Sequence, residues 1–137
     1  MATRTIVNTS NPELRQKRDV VVVAASKSFG TNELGVDVEV ATDALVMTLP
    51  KITADVLGRD ILFRNTADDG DAILDIAPAT DDKIIGTIAA VSSGGVASKK
   101  WRNTKATANK GDFCVLRATK LTEWSIVGGV GVWASEA

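Results

Sequence analysis

Val36-Asp37-Val38-Glu39-Val40-Ala41 alternates apolar and charged side chains without a break. A period of two places Val36, Val38 and Val40 on one face and turns Asp37 and Glu39 to water, which is the pattern of a half-buried β-strand. The same grammar continues on both sides. Downstream, Ala44 to Leu49 reads as a strand stopped by Pro50. Ile61-Leu62-Phe63 ends at Asn65, Ala72 to Ile76 ends before Pro78, and Lys83 to Ala90 is interrupted at Gly86. Phe113 to Arg117, Glu123 to Val127 and Val130 to Ala134 complete the series. Upstream, Val20-Val21-Val22-Val23 is β-branched and unbroken, which suits a strand covered on both faces or lying in an interface. Roughly eight strands result, at spacings near the 8–12 residues of sandwiches and barrels.

The joints between these strands carry turn chemistry. Ala67-Asp68-Asp69-Gly70-Asp71 reads as a hairpin turn, because Asp-Gly tolerates positive φ. Ser26 to Gly35 reads as a loop. Lys51 to Leu57 has room for one helical turn, although Ile52, Thr53 and Val56 are poor helix formers. Ser92 to Asn109 reads as a long loop, and loops of that length are usually functional or mobile. Residues 1–19 are polar and without strong period. They are expected to be an extended N-terminal arm that takes its order from a partner, lying across a neighbouring subunit or a larger assembly. Residues 20–137 are expected to form a single β-domain. The expected fold class is all-β, an antiparallel β-sandwich or β-barrel with this arm attached.

Composition narrows the classes of function. The chain has 137 residues, a formal charge of −1, one cysteine, three tryptophans, three phenylalanines and no tyrosine or histidine. Near-neutral charge offers no general field for nucleic acid or an anionic membrane. No apolar run approaches the roughly 20 residues that span a bilayer, and the N-terminus lacks the apolar stretch of a signal peptide. The absence of histidine removes Ser-His and Cys-His dyads. Cys114 lies in the run Phe113-Cys114-Val115-Leu116 and reads as a small buried hydrophobe. Carboxylate pairs of the glycosidase kind remain formally open, but no pair stands out among so many acids.

Charge is nevertheless uneven. Asp68, Asp69, Asp71, Asp75, Asp81 and Asp82 occupy a stretch without Lys or Arg, whereas Lys99, Lys100, Arg102, Lys105 and Lys110 occupy one without acids. Asp68, Asp69 and Asp71 offer hard oxygens to calcium but lack the EF-hand spacing, and read first as a solvated turn. Lys99, Lys100, Trp101, Arg102 and Lys105 form the candidate partner contact, a basic and aromatic mixture suited to an acidic protein surface or to the aspartates of a neighbouring subunit. Val20, Val21, Val22 and Val23 form the candidate subunit interface. Gly128-Gly129-Val130-Gly131 lacks the Lys-Ser/Thr of a phosphate loop and reads as a turn before the last strand. Trp124 and Trp133 read as core or interface anchors.

Taken as one pattern, Leu49, Pro50, Gly58, Ile61, Phe63, Asn65, Asp82, Ile84, Gly86, Gly111, Asp112, Val115, Leu116, Trp124, Ile126, Gly128 and Trp133 resemble a β-domain that recurs in virion proteins of tailed bacteriophages. It occurs in capsid decoration (cement) proteins and in parts of tail fibres and baseplates. The resemblance implies a non-enzymatic structural role on the outer surface of the capsid, the major capsid protein as partner, a homotrimer, synthesis in the host cytoplasm, and no cofactor or metal. A chain this short with one such domain is most like a decoration protein. A tail-fibre or baseplate receptor-binding part is the alternative, and a carboxylate-dependent polysaccharide hydrolase stands further off. The basic insertion from Ser92 to Asn109 departs from the shared pattern. Far-ultraviolet circular dichroism should show a strand-dominated spectrum, and a helix-dominated one would overturn the fold expectation.

Overall fold

Alternation becomes pairing in the computed structural model, which describes residues 18–136. The strands are β1 (Val20–Val23), β2 (Lys27–Ser28), β3 (Asp37–Val40), β4 (Leu45–Thr48), β5 (Asp60–Asn65), β6 (Leu74–Ala77), β7 (Lys83–Ile85), β8 (Thr87–Ile88), β9 (Val91–Ser92), β10 (Trp101–Asn103), β11 (Phe113–Lys120), β12 (Glu123–Val130) and β13 (Trp133–Ser135). Helical structure among the described residues is confined to two 3-10 turns, Thr31–Glu33 and Lys105–Thr107. One sheet runs β1-β3-β5-β11-β12-β7, the facing sheet runs β13-β10-β6-β4-β2, and β8-β9 is a small ribbon. The protein is an all-β sandwich.

The sheets are mixed, where a purely antiparallel arrangement was expected. β1 with β3, β3 with β5, β2 with β4, β4 with β6 and β12 with β7 are parallel. The cause lies in the path of the chain. From β1 to β6 each strand is followed by one in the other sheet, so the chain winds as a flattened coil and returns to each sheet in the same direction. Asp68 to Asp71 therefore belong to a crossover between sheets, from β5 to β6, and do not close a hairpin. From β10 onward the chain pairs antiparallel against this coil, β10 with β6 and β13, and β11 with β5 and β12.

Inward side chains of the two sheets share one core. Val38, Val40, Ile61, Phe63, Leu116 and Trp124 come from the first sheet, and Met47, Leu74, Ile76, Trp101 and Trp133 from the second. The alternation in β5 is clean, with Ile61, Phe63 and Asn65 buried and Asp60, Leu62 and Arg64 half-buried on the outer face. Burying a large aliphatic or aromatic side chain contributes about 1.5–3 kcal/mol, so residues of this kind supply the main driving force. Gly86 separates β7 from β8 at φ +141°, and a Cβ there would stand 2.7 Å from the Cβ of Ile126. The lone break in that apolar run is thus a packing requirement.

Residues 92–109, read from sequence as one loop, contain β10, which lies between β6 and β13 inside the second sheet. Lys51 to Leu57 makes turns and no helix. Gly128 and Gly129 lie within β12, so the turn before β13 begins only at Gly131. The expected arm falls outside the described residues except for Arg18 and Asp19. Arg18 donates to Asp60 Oδ1 at 2.9 Å and to the Val36 carbonyl at 2.8 Å, and the Asp19 carbonyl accepts from the Asp37 amide. The ladder between β1 and β3 thus already holds at Asp19.

Ala89 and Ala90 connect β8 to β9 with φ of 51° and 69°. Two consecutive positive φ values are those of a type I′ turn, which favours Asn-Gly and strains alanine. Replacing the pair by Ala89→Asn with Ala90→Gly should stabilise the protein by about 1 kcal/mol, read as a higher midpoint in urea at unchanged slope.

Candidate functional site

β10 explains the fate of the basic segment. A strand between two others buries alternate side chains, so Trp101 and Asn103 point inward and Arg102 points out. Trp101 is fully buried and stacks on Trp133, ring centroids 6.1 Å apart and 12° from parallel. It is a core residue, which corrects its place in the candidate partner contact. Arg102 stands directly across from Asp75 and grips both of its carboxylate oxygens, at 2.5 and 3.0 Å. The hydrogen bonds to Asp75 raise the Arg102 pKa above its already high ordinary value, against the opposing effect of burial and with help from the charges of Asp75 and Glu136.

The other cations behave similarly. Lys105 reaches Asp43 at 2.6 Å, Lys100 lies 3.7 Å from Glu136, and Lys110 lies 3.8 Å from Asp68 while its amide donates to Asp69. The Asp43 carboxyl is held below the ordinary range, first by the Ile73 amide and then by Lys105. The acidic and basic stretches therefore meet within one chain at Arg102 with Asp75 and at Lys110 with Asp68 and Asp69, while Lys105 and Lys100 turn to acids outside the acidic stretch. Lys99, Lys100 and Lys105 remain at least partly accessible on this rim. Asp68, Asp69 and Asp71 do not converge, and among the described residues no group of three or more His, Cys, Asp or Glu side chains is placed to hold a metal ion.

The buried carboxylates are structural in the same sense. Asp82 accepts from Lys51 at 2.7 Å and from the Ile52 amide at 3.1 Å. Asp112 accepts from Asn103 at 3.2 Å and from the Asn109 amide at 2.9 Å. Cys114 is buried, and burial pushes its thiol well above the ordinary range, which leaves it inert as a nucleophile. Trp124 is buried with Trp133, as core anchors should be.

The valine run divides. Val23 is buried and Val21 packs against the core, whereas Val20 and Val22 point outward, 59% and 75% exposed. Only these two are free to meet a partner. They are joined by residues that the sequence reading did not single out. Across the first sheet, Val20 is in register with Asp37, Leu62 and Val115, and Val22 with Glu39, Arg64, Phe113 and Val130. The outer face of this sheet thus carries apolar side chains from Val20 and Val22 to Val130, interspersed with the charges of Asp37, Glu39, Asp60, Arg64 and Arg117. Arg64 lies over the Phe113 ring at 5.1 Å. The unbroken run from Phe113 to Leu116 carried the signal, since a strand apolar on both faces is covered on both.

No family model matches the chain, and no curated protein matches it. Removing the Arg102 side chain would leave Asp75 buried without its cation. Arg102→Ala should cost about 3 kcal/mol, against at most about 1 kcal/mol for Lys105→Ala at an exposed pair. Urea titrations of the two variants check the ranking.

Proposed function

We propose that this protein is a capsid decoration protein of a tailed bacteriophage, a non-enzymatic homotrimer that binds the outer capsid lattice through the major capsid protein and stabilises the head. The observation that carries the reading is the set of apolar side chains on the outer face of the first sheet. Val20, Val22, Leu62, Phe113, Val115 and Val130 occupy outward positions where an isolated sandwich would place polar residues. Such a face suits a protein that works in contact with copies of itself. The positions shared with phage virion β-domains support it differently. Most of them are core residues, such as Leu49, Phe63 and Trp133, or buried polar joints, such as Asn65, Asp82 and Asp112. A scaffold is what they describe.

Stabilisation would follow mass action, because a protein that binds only the assembled shell raises the free energy needed to open it. The accessible Lys99, Lys100 and Lys105 at the rim of β10 are the surface offered to the lattice. Quantitative mass spectrometry of purified virions should find this chain at a copy number comparable to the major capsid protein, and heads stripped of it should rupture at lower temperature. A few copies per particle would assign it instead to the tail or baseplate.

A further inference from the structure

Among the described residues, β1 pairs only with β3 and β2 only with β4, so both end strands of the first turn have an outer edge without a described partner on the same side of the sandwich. Unpaired strand edges recruit other strands, and proteins blunt them with charge or proline. β2 carries Lys27 and β7, at the far end of the first sheet, carries Lys83. From Val20 to Ser26 there is no charge and no proline. An open depression of about 490 Å³, lined by Val21 to Lys27, runs along this edge, and Val20 and Val22 stand exposed beside it.

A segment whose composition favours extended backbone lies outside the described residues. Thr3-Arg4-Thr5-Ile6-Val7-Asn8-Thr9 is β-branched at five of its seven positions. We propose that this segment from a second copy of the chain adds as a strand to the free edge of β1, completing the first sheet in trans. The segment of the same chain is poorly placed to do so. Arg18 and Asp19 already run in line with β1. Asn11-Pro12 is the main turn signal before them, and the chain has no glycine until Gly30. A reversal at Asn11-Pro12 sets Thr3 opposite Val20 and leaves only Met1 and Ala2 for Val21 and Val22. The β-branched segment would then face Leu14 to Val20 instead of the valines. A second copy has no such restriction on register. Backbone hydrogen bonds along the edge supply affinity in this mode, and alternate side chains supply specificity. A head-to-tail exchange closes into a ring, such as a trimer, when its rotation allows. The proposal concerns copies of this chain alone and stands whether or not the assembly binds a capsid.

The test uses full-length chains with single added cysteines, since Cys114 is buried and silent. One protein carries Val22→Cys. The others carry Thr5→Cys, Ile6→Cys or Val7→Cys, and a control carries Lys120→Cys at an exposed site away from this edge. On mixing and mild oxidation, at least one arm variant should form disulfide-linked dimers with the Val22→Cys chain at least about tenfold faster than the control, as docking raises the effective concentration towards millimolar. With Val22→Cys and the same arm cysteine in a single polypeptide, the product should be linked oligomers. Light scattering should show Val22→Asp at the 14.4 kDa of one chain while the wild type is larger. Rates equal to the control, closure of the disulfide within one chain, or a wild-type mass of one chain would each overturn the proposal.

Discussion

Asn65 and Asn103 belong to opposite sheets, and their side chains meet inside the sandwich at 2.8 Å. Asn65 also donates to the Ala72 carbonyl and accepts from the Ala67 amide, while Asn103 donates to Asp112 and to the Val132 carbonyl. One small polar cluster thereby holds the crossover from β5 to β6, the entry to β11 and the approach to β13. Its members are all but fully buried, so each lost partner leaves a desolvated group costing about 1–3 kcal/mol. An apolar core tolerates sliding and repacking. A buried polar joint of this kind accepts one register, and the relative position of the two sheets depends on it.

Given that frame, the chain settles its charges internally and leaves its apolar excess outside. Arg102 with Asp75, Lys51 with Asp82 and Arg18 with Asp60 tie distant segments together. The arrangement draws attention from the basic segment to the first sheet. There Val20, Val22, Leu62, Phe113, Val115 and Val130 gain nothing from water, and beside them the outer edge of β1 has no strand partner among the described residues. An assembly that covers the face and the edge together would relieve both.

Most positions of the pattern from Leu49 to Trp133 serve the fold, and function on such a scaffold belongs to the surfaces it presents. Gly86 shows the distinction. It admits Ile126 at close range, and Asp112 similarly packs where a side chain on Gly131 would go. These residues describe how a sandwich closes. What it attaches to is written on the outer face, in residues such as Val22 and Phe113, which lie outside that pattern.

Strand content and much of the core were legible in the residues themselves. The alternation of Val36 to Val40 and of Ile61 to Asn65 is a local property, and period two assigns a face without knowledge of any partner. The apolar setting of Cys114, Trp124 and Trp133 carried their burial in the same way. Strand direction was not legible, because the same alternation serves parallel and antiparallel ladders, and only the path through the opposite sheet decides between them. The coil leaves no repeat to find, since register steps from 20 to 37 and then from 37 to 62. Trp101 was placed in a surface loop because its neighbours Lys99, Lys100 and Arg102 are charged. Tertiary structure overrode that reading, since a strand between β6 and β13 buries every second residue and can set Arg102 against a cross-strand aspartate. Charge composition is a property of the chain, but which charges find each other is decided by the register of strands far apart in sequence.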